Sequence, residues 1–219
     1  MCVIIYVKCK IIIKFFGGKM GIENAKQGKL IYHLTKLENL DSILENGLLS
    51  RKTVKNDNMS FSDVADKTII KKRKGLGLNK YVPFHFHPYS SFDVAVKNAF
   101  LEDELIYICV SRKTAIKNDF KILPMHPLSK DQSYELFDYD EGFDKIEWDI
   151  LQHAGLTDKR SRNIKMAECL SNDVVPFEDF SCIYVRNHKV KKKVEEKIEE
   201  HGLEYNPPFV YVQKCFFLE

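Results

Sequence analysis

Apolar residues in this chain fall into short runs, at 30–34, 81–86, 105–110, 182–186 and 209–217, separated by polar or helical stretches. Runs of that length suit the strands of a packed core, and the β-branched run at 105–110 is the strongest of them. Helical periods lie between. The run LIYHL leads into a stripe of Leu37, Leu40, Ile43, Leu44 and Leu48, with Gly47 as the stop. Ser90 or Ser91 can cap a helix whose apolar residues are Phe92, Ala95, Val96, Ala99 and Phe100. Val190, Val194 and Ile198 form the single seam of an exposed helix over 190–201, closed by Gly202. The pattern predicts one α+β domain with a strand-rich core and peripheral helices. A chain of 219 residues with 44% hydrophobic content can bury such a core.

Charge narrows the function less than the fold. Charged residues make up 30% of the chain, but the net charge is only +3, a mild excess that permits a local groove for phosphates. Its densest basic run, Lys71, Lys72, Arg73 and Lys74, sits in the polar, irregular stretch 50–80. The six cysteines, at 2, 9, 109, 169, 182 and 215, form no C-x-x-C pair. Neither a zinc ribbon nor a disulfide framework is visible, and reduced thiols in a cytoplasmic protein are expected. The apolar N-terminus is interrupted by Lys8, Lys10 and Lys14, and no A-x-A-like cleavage site follows, so no membrane segment is expected. Residues 1–19 are read as an extension, either a strand or hairpin over 3–16 or a stretch preceding a start at Met20. The domain proper is then 20–219.

Several residues could carry chemistry. Thr35 and Glu38 have the spacing of a helix capping box, which would leave Thr35 and His33 with no role beyond local structure. Glu168, flanked by Met166, Ala167, Cys169 and Leu170, is either a buried acid whose ionisation needs a partner or an exposed acid on a helix over 158–170. His85 and His87 alternate with Phe84 and Phe86, so a strand would bury the phenylalanines and turn both histidines to the other face. Zinc needs three or four ligands, and no acidic or cysteine partner is evident beside them. Cleft-lining or substrate contact is therefore expected, without a metal. Gly75 and Gly77 lack the third glycine of a dinucleotide-binding fingerprint.

Three ordered blocks, IYHLTKLENLDSILENGLLS, KKRKGLGLNKYVPFHF and KMAECLSNDVVP, resemble the DarT family of DNA ADP-ribosyltransferase toxins. The resemblance runs from about Leu30 to about Asn187. It implies a split, strand-rich ADP-ribosyltransferase fold with NAD, as co-substrate, in a cleft. His33 and Thr35 match the family's H-x-T cofactor motif, and Glu168 matches the catalytic glutamate. Arg73 is aligned with the catalytic arginine and would also hold NAD phosphates through its planar fork. The family's arginine after the Y-V-P-F strand is absent, since Pro88 is followed by Tyr89. The loop before Trp148, with Tyr134, Phe137, Tyr139 and Phe143, resembles the substrate-facing region, where rings could stack on unpaired bases or fill the core.

The implied reaction breaks the bond between nicotinamide and ribose, building positive charge on the sugar, and transfers ADP-ribose to thymine or guanine in single-stranded DNA. A carboxylate at Glu168 can stabilise that charge or take the base proton. The family also implies a macrodomain antitoxin of the DarG type as partner. The rivals are ADP-ribosylation of RNA or protein, since fold does not fix the acceptor, and a non-catalytic nucleic-acid-binding module.

Overall fold

A computed structural model describes residues 24–102, 104–126, 134–153, 156 and 158–217. The segment 1–19, and the strand or hairpin expected within it, lies outside the described residues. The strands are β1 (Leu30–Lys36), β2 (Val82–His85), β3 (Leu105–Ser111), β4 (Lys121–Leu123), β5 (Glu168–Ser171), β6 (Phe180–Val185) and β7 (Phe209–Val212). They form one seven-stranded sheet in the order β4-β5-β2-β1-β3-β6-β7. Neighbours are antiparallel except β6 and β7, which run parallel.

The helices follow from local chemistry. They are α1 (Leu40–Asn46), α2 (Arg51–Asn56), α3 (Lys67–Gly75), α4 (Ser91–Ala99), α5 (Arg112–Lys117), α6 (Tyr139–Lys145), α7 (Trp148–Leu151), α8 (Lys159–Ile164) and α9 (His188–Glu200). Helix α4 opens on a full capping box, in which Asp93 N–H donates to Ser90 Oγ and Ser90 N–H to the Asp93 carboxylate. Helix α9 is the crossover that a parallel β6–β7 pair requires, and it buries Val190, Val194 and Ile198 as predicted. Gly47 closes α1 at φ 75°, and a Cβ there would stand 2.7 Å from Val174, so only glycine makes the turn.

Strand β3 is buried along six of its seven residues, which explains its unbroken apolar sequence: it lies inside the sheet with both faces covered. Its register with β1 is continuous from Leu30–Ser111 to Lys36–Leu105. By contrast β1 and β2 share one registered pair, Tyr32–His85. The expected split core is therefore a sheet nearly parted at that seam, with β4, β5 and β2 on one side and β1, β3, β6 and β7 on the other.

Two local expectations are corrected. The Thr35–Glu38 capping box does not form, because pairing with β3 keeps Thr35 extended; the cap position passes to Lys36, with no side-chain cap. The stretch 158–170 is helical only over Lys159–Ile164 and then turns into β5, which begins at Glu168.

Helix α6 packs so closely on β4 that Gly142 has no room for a side chain: an added Cβ would stand 2.4 Å from Ile122 Cβ and 2.9 Å from Phe137 Cβ. Gly142→Ala is expected to cost about 1–3 kcal/mol through overpacking, read as a lower urea midpoint at an unchanged slope.

Candidate active site

Strand alternation places His33 and Thr35 two residues apart on one side of β1, where both line a cleft with Asn39, Arg51, Asp63 and His85. His33 Nδ1 lies 2.8 Å from the carbonyl oxygen of Pro83 on β2. A carbonyl only accepts, so Nδ1 carries the proton and Nε2 holds the lone pair. Burial pushes this imidazole down to about 4, opposed by the Pro83 contact, so it is neutral at pH 7 and Nε2 is an acceptor suited to a ligand hydroxyl.

Thr35 Oγ1 accepts from Asn39 Nδ2 at 3.1 Å. Asn39 also exchanges hydrogen bonds with the Ser62 backbone, at 3.0 and 2.9 Å, pinning the 60–64 segment to the cleft wall. Arg51 forks onto Asp63 through Nε and Nη2, at 2.7 and 2.8 Å. Asn39, Arg51 and Asp63 were not predicted as site residues. Asn39 falls inside the first block but off the apolar stripe, and the Arg51–Asp63 pair closes an irregular segment that carries no periodic signal.

The second half of the site lies beside the cleft. Arg73 sits near the end of α3, a helix started by Asp66, whose carboxylate accepts from Thr68 and Ile69 N–H. Its neighbours Lys71, Lys72 and Lys74 are exposed, while Arg73 turns inward and is 7% exposed. Nη1 donates to both oxygens of Glu168, at 2.7 and 2.9 Å, and Glu168 is 4% exposed. Arg73 thus meets the carboxylate through one nitrogen, leaving Nη2 buried without a partner. In this state Arg73 is committed to Glu168, and the unmet Nη2–H is the donor left for a ligand oxygen.

The two halves meet on β2. His85 is the register partner of both Tyr32 on β1 and Glu168 on β5, and it lines the cleft that holds His33 and Thr35. Neither Arg73 nor Glu168 lines that cleft. The H-x-H pair divides: His85 faces the cleft, whereas His87 is buried away from it, its Nδ1 accepting from Tyr89 N–H at 3.1 Å. An acidic neighbour also exists where none was expected, since Asp93 Oδ2 stands 3.4 Å from His85 Nδ1. No cluster of three or more metal-ligating side chains occurs among the described residues.

Several aromatics of the loop before Trp148 pack into the fold, as the core-filling alternative expects. Trp148 and Tyr139 are buried, and Trp148 Nε1 donates to the Phe143 carbonyl at 2.9 Å. Phe86, Phe143 and Trp148 pack ring to ring around the Arg112 guanidinium. Tyr134 packs beside Leu78, Leu123 and Leu170, its hydroxyl donating to the Leu76 carbonyl. These rings hold α6, α7 and α3 in place.

A family model described as "ssDNA thymidine ADP-ribosyltransferase, DarT" matches residues 32–217. The chain belongs to the DarT family. A DNA ADP-ribosyl transferase–DNA ADP-ribosyl glycohydrolase fusion protein of Thermosipho africanus (strain H17ap60334) is 24% identical over 185 residues, 81% of this chain. The chain spans 47% of that relative's length. Thermus sp. 2.9 DarT in complex with ADP-ribosylated single-stranded DNA superposes with a TM-score of 0.74 at 22% identity, covering 88% of this chain and 97% of that one. The NAD+ complex of the same Thermus protein gives 0.69 at 21% identity, covering 87% and 98%. The fold is that of the DarT structures.

Two histidines make stability depend on pH. His33 and His87 are held down, to about 4 and about 3, chiefly by burial, while in an unfolded chain they titrate near about 6.5. As pH falls below that value the unfolded state binds protons that the folded state refuses, so stability declines between about pH 6.5 and pH 3. Urea midpoints measured across that window should fall with pH, and His33→Gln should flatten part of the decline.

Proposed function

We propose that this protein is an NAD-dependent ADP-ribosyltransferase toxin that modifies thymidine in single-stranded DNA and releases nicotinamide. The observation that carries this reading is the buried Arg73–Glu168 pair, joined through β2 to a cleft whose floor is His33 and Thr35. In it, neutral His33 accepts from a ribose hydroxyl of NAD through Nε2, and Thr35, held by Asn39, borders the same nucleotide. Arg73 fixes the Glu168 carboxylate and offers Nη2–H to a substrate oxygen. Glu168 stabilises the positive charge that grows on the sugar as nicotinamide leaves, then takes the ring N–H proton of the attacking base. Glu168 and Arg73 are thus the catalytic pair, and His33 and Thr35 hold the cofactor. The donor set fits NAD: one neutral acceptor for a hydroxyl and one unmet, buried cationic donor for an anionic or carbonyl oxygen.

A single-stranded acceptor suits this site because a thymine N–H is paired inside a duplex and must be unstacked to be reached. The family description supports thymidine over guanine. The fusion of transferase and glycohydrolase in the Thermosipho relative supports a DarG-like macrodomain partner that removes the modification. A DNA substrate also supports action in the cytoplasm, and no helix among the described residues is long and apolar enough to cross a membrane. Residues 20–219 form the catalytic domain in this reading.

The test is incubation of purified protein with NAD and single-stranded oligonucleotides of varied base content, followed by mass spectrometry. Gain of one ADP-ribose on thymine-containing DNA is the expected result. Modification of RNA or protein alone would shift the acceptor class. Salt-sensitive DNA binding with intact NAD would favour a binding module.

A further inference from the structure

The proposed reaction leaves one group in the cleft unused. His85 is buried between the cleft and Glu168, and its surroundings form an ordered array. Ser90 Oγ–H donates to Asp93 Oδ2 at 2.7 Å, and Ser90 Oγ in turn accepts from Asp93 N–H at 3.0 Å. His85 Nδ1 stands 3.3 Å from Ser90 Oγ and 3.4 Å from Asp93 Oδ2. With the Ser90 proton committed to Asp93, both atoms facing Nδ1 are acceptors, so Nδ1 carries the hydrogen and Nε2 faces away from Asp93. Asp93 is fully buried, and its Oδ1 has no partner. Its Oδ2 accepts from Ser90 N–H and Oγ–H, and Lys97 on α4 adds positive charge nearby, so Asp93 stays an anion that favours a further positive charge on His85.

We propose that His85, backed by Asp93 and Ser90, receives from Glu168 the proton that the carboxylate removes from the acceptor base. This inference rests on the transferase reading above. In the transfer, the ribose–nicotinamide bond breaks with its electron pair going to nicotinamide, and the base nitrogen bonds to the ribose carbon. The base's N–H proton passes to Glu168 and then to His85 Nε2, where the imidazolium is balanced by Asp93. Glu168 is held by Arg73 and does not line the cleft, whereas His85 does and can pass the proton on to solvent there. His85 is its direct cross-strand neighbour on β2, with the side chain on the same face. It acts through Glu168 rather than on the substrate, and so is a positioning residue.

The charge balance around His85 supports the assignment. Burial pulls its pKa down, but the Asp93 carboxylate more than offsets this and the net displacement is upward. Glu168 on β5 adds to the rise, while Arg73 on α3 opposes it. His33 on β1, His87 just after β2 and His126 after β4 also interact with it electrostatically. A carboxylate-backed imidazole whose pKa is raised, not lowered, is a suitable proton acceptor for the carboxylate beside it.

The experiment measures kcat and the KM for NAD against pH, with thymine-containing single-stranded DNA saturating, for the unaltered protein, His85→Gln and Asp93→Asn. In the unaltered protein kcat should rise with pH through a limb above about 6.5. His85→Gln should remove that limb and lower kcat by about 100-fold at an unchanged KM for NAD. Asp93→Asn keeps an acceptor for Ser90 and should move the limb to lower pH, which tests the relay even where His85→Gln folds poorly. Unchanged profiles in both variants, or a raised KM at constant kcat, would overturn the relay while leaving the transferase intact. No transfer by the unaltered protein would overturn both readings.

Discussion

Glu168→Gln is expected to lower ADP-ribose transfer by about 10²–10⁴-fold while the KM for NAD changes little. The amide matches the carboxylate in shape and its oxygen can still accept from Arg73 Nη1, so one of the two contacts at 2.7 and 2.9 Å survives. What disappears is the negative charge beside the ribose and the base for the acceptor N–H. Loss confined to kcat, in a variant that is less stable because Arg73 loses its counter-charge but is still folded at the assay temperature, identifies Glu168 with the chemical step. A variant with unimpaired transfer would remove Glu168 from the mechanism.

The second large effect is on the fold itself. Arg73→Ala leaves the Glu168 carboxylate buried with no cation in contact, which is expected to cost about 3–5 kcal/mol. For a chain of this size each kcal/mol corresponds to about 2–4 °C in Tm, so calorimetry should show a clear drop. Removing both charges should be milder than the sum of the two single losses, because no lone charge is left behind. Arg73→Lys restores a cation but not the planar group carrying Nη2, so it should recover stability more fully than transfer. Equal recovery of both would mean that Nη2 has no part in binding a substrate.

What could be read from the sequence was what is local or periodic. The unbroken apolar run of β3, the valine and isoleucine seam of α9 and the Ser90 cap each carry their structure within a few residues. His33, Thr35, Arg73 and Glu168 were reachable only through the family resemblance. The basic run gave no sign that Arg73 turns inward while its neighbours stay in solvent, because its partner lies 95 residues away. Thr35 and Glu38 show the opposite failure: a sound local signal lost to strand pairing with β3. The aromatics before Trp148 have the composition of a base-stacking surface, and only the structure shows Phe143 and Trp148 packed around Arg112 and Tyr134 packed against Leu78. His85 and Asp93 are eight positions apart and meet only because Ser90 turns the chain from β2 into α4.

The single Tyr32–His85 rung between β1 and β2 has a mechanical consequence. Pro83 lacks an N–H and cannot lengthen the ladder, and its carbonyl is taken instead by the His33 side chain. His33 is therefore a rivet between two plates, one bearing His33 and Thr35 and the other bearing His85 and Glu168. Any load on His33 is transmitted across that joint to the plate that carries the acid. In the proposed reaction, grip on the dinucleotide and aim of the carboxylate are in this way geared together, and amide hydrogen exchange at the joint should slow when NAD is held.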